Sequence, residues 1–517
     1  MQKSIRVLRN IFWGIVNRVC HMICPFIVRM TILYIMGTLY MGLDGLFVSI
    51  LGILSLTELG IGPAMTYAMY KPLAERDDKE VCALLQFYKK CYHIIGSVIL
   101  CIGLAILPFL KFFIKGDYPS DTNIYILYLI YLSNSVLSYF LYAYKNSLLT
   151  AMQRYDIVSN INSIIYIVQI FLQVSLLLTT KNYYFYILVM PLFTIIINLV
   201  TEWYSVKHYP QYVCTGTLTA ERQAEIMTNV KGIISQKIGA VVLFSVDNIV
   251  ISTFLGLNVL AIYNNYYYVV LALFSFSDIL LASMTPSVGN SCISESRDKN
   301  FLDFRKFNFM YMYITAWGSA FLLCLCQSFI KLWVGENLML AFSYVVLFTA
   351  YFFFFKWMDM LYVYLQATGI WWQTRYIPLV ASACNLIANI VLVNIIGLSG
   401  VIISTIISIL FIYNLGYLIA MLKFYFNRME YLSRIILRQI YYLLVATISC
   451  CITYFISSLL STQGILSILW RVIVCLIIPN LVMCTLFYRL SEFKHSKIFW
   501  ENVLHNLARK KGSVVGN

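Results

Sequence analysis

The chain has 517 residues, 61% of them hydrophobic and 11% charged, with a formal net charge of +15. Apolar runs of bilayer-spanning length recur from end to end, which excludes a soluble globular protein and leaves no hydrophilic stretch long enough for an extramembrane catalytic domain.

Fourteen spans are predicted, each built on about 20 apolar residues. The first covers residues 11–36. It is too long for a signal-peptide core and lacks a small-residue cleavage site, so it is read as retained. It carries Arg18 and Arg29, three helical turns apart on one stripe and about 16 Å apart at the α-helical rise. An arginine near the bilayer centre costs roughly 2.5 to 3.5 kcal/mol on insertion scales, so two aligned guanidinium groups imply either a wet, anion-holding surface or snorkelling to the two interfaces. Pro25 lies between them and interrupts the backbone ladder, which suits a helix that bends.

A short outside turn is predicted at Gly42-Leu43-Asp44-Gly45-Leu46 before the second span, 46–69. That span contains Glu58 just ahead of Gly60, Gly62 and Pro63, where a helix bends or unwinds; Glu58 is read either as a gate or cap for freed amides or as part of a structural hinge. Asp77-Asp78 follows in a charged loop. Four more spans, 91–114, 123–149, 157–179 and 183–206, complete a first bundle. A basic connector, 207–230, reads as an amphipathic surface linker. A second bundle follows at 232–255, 259–286, 307–331, 339–367, 376–396 and 400–422. Spans 437–460 and 467–490 are appended to it.

Basic residues give the orientation. Only Lys111, Lys115, Lys181, Lys331 and Arg471 fall on the side opposite the N-terminus, and Arg18, Arg29 and Lys356 fall within spans; the other 29 of the 37 lie on the N-terminal side. Both termini are therefore expected in the cytoplasm. The positive balance is a topological signal with affinity for anionic lipids, and no nucleic-acid partner is inferred from it.

Gly256-Leu257-Asn258-Val259-Leu260 echoes the first glycine turn, and Glu295-Ser296-Arg297-Asp298-Lys299 echoes the charged segment from Glu75 to Glu80. Corresponding features fall on the same side, so the halves form a parallel repeat about an axis along the membrane normal. The expected organisation is an N-lobe at 1–206, the connector at 207–230, a C-lobe at 231–424, two further spans at 425–492 and a cytoplasmic tail at 493–517. Bundles repeated in parallel around polar residues are the build of alternating-access transporters.

Ionisable and amide groups inside spans are functional candidates because each costs insertion energy. Asp247 and Asn248, Asn264 and Asn265, Asp278, Lys356 and Asp359, and Asn385 and Asn389 are the set. Asn385 and Asn389 share a helix face, with Ser404 and Thr405 early in the next span. With Asp247 they offer oxygens for a monovalent cation or hold a protonatable carboxylate, or else they bond helices together. Lys356 and Asp359, three residues apart, can neutralise each other. Among Tyr266, Tyr267 and Tyr268 at least one ring is expected to line a cavity, where sugars stack on aromatic faces. Fourteen cysteines without a C-x-x-C pair read as small apolar residues, and no phosphate loop, nucleophile triad or zinc motif appears.

Asn17-Arg18, Pro25 through Arg29, Tyr40-Met41-Gly42-Leu43, Leu54 through Gly60 and Met69 through Ala74 together resemble bacterial oligosaccharide flippases of the Wzx type. Val246-Asp247-Asn248, Tyr263-Asn264-Asn265-Tyr266 and Trp333-Val334-Gly335 extend the likeness into the second half. That family groups with the multidrug and toxin extrusion exporters and the lipid II flippase, whose fold is two six-helix lobes in a V, often with two extra helices. The resemblance implies an all-α polytopic protein of about fourteen helices in the bacterial cytoplasmic membrane. It implies a non-enzymatic flippase that moves an undecaprenyl-pyrophosphate-linked repeat unit outward. Arg18 and Arg29 match cavity cations suited to a pyrophosphate, with Asn264, Asn265 and Lys356 alongside as substrate contacts. Asp247, Asn385, Asn389 and Thr405 map approximately onto the sodium site of lipid II flippases, and a proton titrating on Asp247 is the other option. Pro25, Glu58, Gly60 and Pro63 are the expected gate or hinge. No cofactor is expected beyond Na+ or H+ coupling. The partners are the polyprenyl-linked oligosaccharide, membrane lipids and polysaccharide polymerase machinery. The alternative is a multidrug/cation antiporter of the same fold, against which the basic stripe of the first span argues because cationic drugs want an acidic cavity.

Overall fold

The computed structural model describes residues 2–55, 60–459, 465–498 and 501, and among these residues every element is helical. In chain order they are α1 (Gln2–Ile35), α2 (Thr38–Leu54), α3 (Ile61–Glu75), α4 (Asp78–Ile106), α5 (Ile124–Phe140), α6 (Tyr144–Ala151), α7 (Tyr155–Thr180), α8 (Tyr183–His208) and α9 (Ala220–Leu255). They continue with α10 (Leu257–Ser294), α11 (Arg297–Val334), α12 (Phe342–Thr368), the single turn α13 (Trp371–Thr374), α14 (Ile377–Ile396), α15 (Leu398–Ser408), α16 (Leu415–Ala420), α17 (Leu432–Ser458) and α18 (Ile465–Phe487). Two π-helical turns, Ile409–Asn414 and Met421–Phe426, join α15, α16 and the chain beyond into one span.

Eleven helices are long and apolar enough to cross a membrane, and α5 with α6 makes a twelfth if that pair is one span. The shorter apolar helices Thr38–Leu54 and Val241–Leu255 take two further positions. The protein is an all-α polytopic membrane protein, and about fourteen crossings accommodate this set.

Local chemistry explains where the elements begin. Asp77 caps α4 by accepting from the Glu80 amide at 3.0 Å, so half of the acidic pair serves as a helix start. Thr219 and Ser296 cap α9 and α11 through the amides of Arg222 and Lys299. The chain reverses between α1 and α2 at Gly37, whose φ of +90° is left-handed and suits glycine.

That reversal corrects the turn expected at Gly42–Leu46, which lies within α2 instead. The glycines there serve close packing: a side chain on Gly42 would overlap the Leu257 carbonyl, and one on Gly45 would overlap the Asn264 amide. The second predicted span is divided as well, since α2 ends at Leu54 and α3 starts at Ile61. The fourth bends by 50° between α5 and α6. Beyond the bend, buried Lys145 donates to the Tyr212 carbonyl at 3.1 Å and faces Glu202 at 3.7 Å.

The connector is helical in part. Residues beyond α8 run irregularly to Thr219, with Tyr212 buried and Gly216 against Ala83, while α9 starts ahead of the predicted seventh span. The chain packs as two compact units, residues 1–264 with 378–401 and residues 265–377 with 402–517. In the second unit α17 and α18 pack on α11 and α12, with Phe309, Met312, Phe353, Trp357, Tyr442, Val445, Met483 and Phe487 in one buried cluster.

Candidate functional site

In the first unit, α1 runs along α7. Arg9 pairs with Asp156 at 3.0 Å, and His21 stacks on Tyr166 with ring centres 4.2 Å apart. Helix α1 passes Pro25 without ending. Arg18 is half-buried, and Arg29 is 4% exposed.

Arg29 lies close enough to Asp44 of α2 for the two charges to act on each other. Asp44 in turn accepts from the Tyr131 hydroxyl at 2.5 Å, and the Tyr183 hydroxyl stands 3.1 Å from that of Tyr131. Tyr40 stacks obliquely on Tyr183 at 4.6 Å and donates to Asp121 at 2.6 Å. The result is a buried cluster in which four helices, α1, α2, α5 and α8, hold a guanidinium, a carboxylate and a run of phenols. The Tyr131 hydroxyl, itself in contact with that of Tyr183, shares the Asp44 carboxylate charge with the nearby guanidinium. Asp44 was missed as a functional residue because its segment read as a turn. The signal that identifies it is the pair of glycines at 42 and 45, spaced to let a helix approach its neighbour.

Asp247, Asn385 and Asn389 come together in the same unit, all at least 96% buried. Asn389 donates its amide to Asp247 at 2.7 Å and to Asn385 at 3.2 Å, so one NH2 group bridges two oxygens. The arrangement stabilises an ionised or hydrogen-bonded Asp247, and rotating the Asn389 amide would present three oxygens to one point. Asn248 donates to Ser49 at 2.8 Å and bonds α9 to α2. Asn264 is buried against Gly45, with its amide nitrogen given no acceptor among the described residues. Gly60 caps α3, and Pro63 occupies its first turn, where the missing amide hydrogen costs no helical bond. Glu58 lies outside the described residues.

The second unit holds Lys356, 1% exposed, with its ammonium 2.8 Å from both Asp278 and Asp359. Tyr311 donates to Asp359 at 2.8 Å, and the Phe274 ring lies 4.5 Å from the ammonium. Among the described residues, two carboxylates face one ammonium here. Asp359 was expected as a partner from its helical spacing; Asp278 comes from α10. Asn265 and Thr405 are fully or almost fully buried in this unit. Tyr266 is fully buried too, donating to Gln327 and accepting from the Leu340 amide, both at 2.9 Å, so its hydroxyl closes a helix-to-loop contact.

No curated relative matches the sequence. Among solved structures the chain is similar to the lipid II flippase MurJ in an inward closed conformation, with 15% identity and a TM-score of 0.67 over 93% of this chain and 99% of that one. It is also similar to an inward-facing multidrug resistance MATE family transporter of the MOP superfamily, with 15% identity and a TM-score of 0.58 over 77% and 98% of the two chains. A third is a MOP superfamily transporter from Pyrococcus furiosus Vc1, described by the reverse polarity of its binding pocket, with 13% identity and a TM-score of 0.57 over 83% and 96%. At such identities the likeness is one of fold, that of membrane flippases and exporters. The sequence itself matches the family described as polysaccharide biosynthesis protein over residues 7–287, more than half its length, and the chain belongs to that family.

Proposed function

We propose that this protein flips undecaprenyl-pyrophosphate-linked oligosaccharide repeat units across the bacterial cytoplasmic membrane by alternating access, with both termini cytoplasmic. The observation that carries this reading is a buried guanidinium, Arg29, within electrostatic reach of Asp44 and its tyrosine neighbours, in a membrane protein of a polysaccharide biosynthesis family. Guanidinium binds pyrophosphate in a bidentate way, and the phenols around Asp44 offer both donors and ring faces to a sugar. Arg18, on the same stripe, is the second phosphate contact, and Asn264 and Asn265 are assigned to the sugar. Lys356 is committed to two aspartates, so its part is to shape charge rather than to supply a free cation. Pro25, Gly60 and Pro63, with Glu58, form the hinge.

Coupling to Na+ or H+ is assigned to Asp247, Asn385, Asn389 and Thr405. The lobes at 1–206 and 231–424, the connector at 207–230, the spans at 425–492 and the tail at 493–517 are the working parts of this reading. A polysaccharide polymerase is the partner that consumes the flipped unit. Replacing Arg29 by Ala should abolish surface glycan while the protein stays inserted, and Arg29→Lys should retain part of it. Full glycan in the Ala variant would remove the arginine from the mechanism.

One observation favours a second reading, a multidrug/cation antiporter: among the described residues, the Lys356 cluster carries more carboxylate than ammonium. Efflux of a lipophilic cation that is lost in Asp278→Asn, with glycan intact, would select it.

A further inference from the structure

A cavity of about 410 Å3 opens in the second unit where the starts of α11 and α17 meet the segment after α18. Arg305, Arg434 and Arg438 line it around Glu492. Glu492 is buried and takes Arg305 at 2.6 Å and Arg438 at 3.6 Å. Among the described residues that line it, three guanidinium groups face one carboxylate. Each guanidinium has five donors, so binding Glu492 does not exhaust Arg305 or Arg438.

The opposite need is present in the same cavity. Asn308 and Gln439 are 4% and 2% exposed, and their side-chain oxygens accept no hydrogen bond among the described residues. A buried acceptor left without a donor costs about 1 to 3 kcal/mol, so such pairs mark a place for a donor that the protein does not itself provide. The cavity therefore offers charge for an anion, and the two covered oxygens can take hydroxyl groups once their side chains turn toward it.

A phosphate diester carrying hydroxyls answers both. Its source is indicated by Leu437, which lines the cavity yet is 65% exposed. An acyl chain leaving the cavity meets apolar side chains. Arg489 and Lys494 follow α18 in the chain and Arg428, paired with Asp298 at 2.6 Å, precedes α17, a setting that attracts an anionic leaflet.

We propose that this cavity binds the head group of an anionic glycerophospholipid, with its phosphate on Arg305, Arg434 and Arg438 and its glycerol hydroxyls on Asn308 and Gln439. The site is independent of the flipped substrate and ties the two C-terminal spans to the composition of the leaflet around them.

The test is native mass spectrometry of the full-length protein in detergent, titrated with phosphatidylglycerol, phosphatidylcholine or free glycerophosphoglycerol. The wild type should bind phosphatidylglycerol at least tenfold more tightly than phosphatidylcholine. In Arg434→Gln combined with Gln439→Met that preference should fall about tenfold. Arg434 is exposed and outside the Glu492 pair, so Arg434→Gln alone keeps the test in hand if the double variant does not fold, with a smaller loss expected. Equal binding of the two lipids by the wild type, or an unchanged preference in a folded variant, overturns the proposal. Free glycerophosphoglycerol binding as tightly as the lipid overturns the lipid source and makes the site one for a soluble phosphodiester.

Discussion

At the scale of single residues, the buried charges are organised as small compensated groups. Lys356 sits between Asp278 and Asp359, and removing a buried ammonium leaves carboxylates facing each other without a counter-ion. Lys356→Met should therefore cost on the order of 3 kcal/mol, with the half-exposed Asp278 softening the loss through solvent screening. Adding Asp359→Asn should recover part of it, and thermal unfolding of the two single variants and the double variant measures the coupling. Strictly additive losses would show that the pair does not act as a unit. Asp247→Asn tests the other compensated group: sodium or proton dependence of transport should be blunted, and an unchanged dependence would exclude Asp247 from coupling. In the sequence, Asp359 was recognisable as the partner of Lys356 from its spacing on one helix. Asp278 and the bond from Asn389 to Asp247 were not, because 78 and 142 residues of chain separate those partners. Asp44 was hidden by its two glycines, which suit a turn and a close helix contact equally well.

At the scale of elements, two glycines near the first reversal do different work. Gly37 is held at a positive φ with open space where a side chain would go, so Gly37→Ala costs only backbone strain, about 1 to 2 kcal/mol. Gly42 has ordinary helical geometry but lies against the Leu257 carbonyl, so Gly42→Ala must push α2 away from α10 and costs about 1 to 3 kcal/mol, rising with side-chain size. Melting temperatures of an Ala, Val and Leu series at each position separate the two: a steep fall with size at 42 and a flat response at 37 are expected. Hydropathy made the spans legible because twenty apolar residues have few other fates. Gly60, Gly62 and Pro63 flagged the division of the second span, but hydropathy could not place the bend at residues 141–143, where the chain stays apolar and packing of the following helix decides it.

At the scale of the whole molecule, the C-terminal spans are fastened at the basic end by Glu492. Burial raises its carboxyl, but the Arg305 hydrogen bond and the charges of Arg305 and Arg438 outweigh burial and hold it below the ordinary range. A carboxyl depressed in the folded state adds stability that is present above its unfolded value and lost as pH falls through its folded value. The melting temperature should therefore drop as pH falls from about 5 towards 3, and Glu492→Gln should flatten that part of the profile while lowering the plateau at neutral pH. An unaltered acid limb in the variant would assign the loss to other carboxylates.

The central claim is that a buried guanidinium on α1 engages a pyrophosphate during its passage across the bilayer. Its most direct test uses purified protein in liposomes that contain an undecaprenyl-pyrophosphate-linked oligosaccharide, with arrival at the far leaflet followed by an added glycosidase. Loss of one bidentate charged contact, worth about 2 to 3 kcal/mol, predicts that Arg29→Ala slows the flipping rate roughly 30- to 150-fold and that Arg29→Lys falls between it and the wild type. A correctly inserted Ala variant that flips the lipid at the wild-type rate would contradict the account.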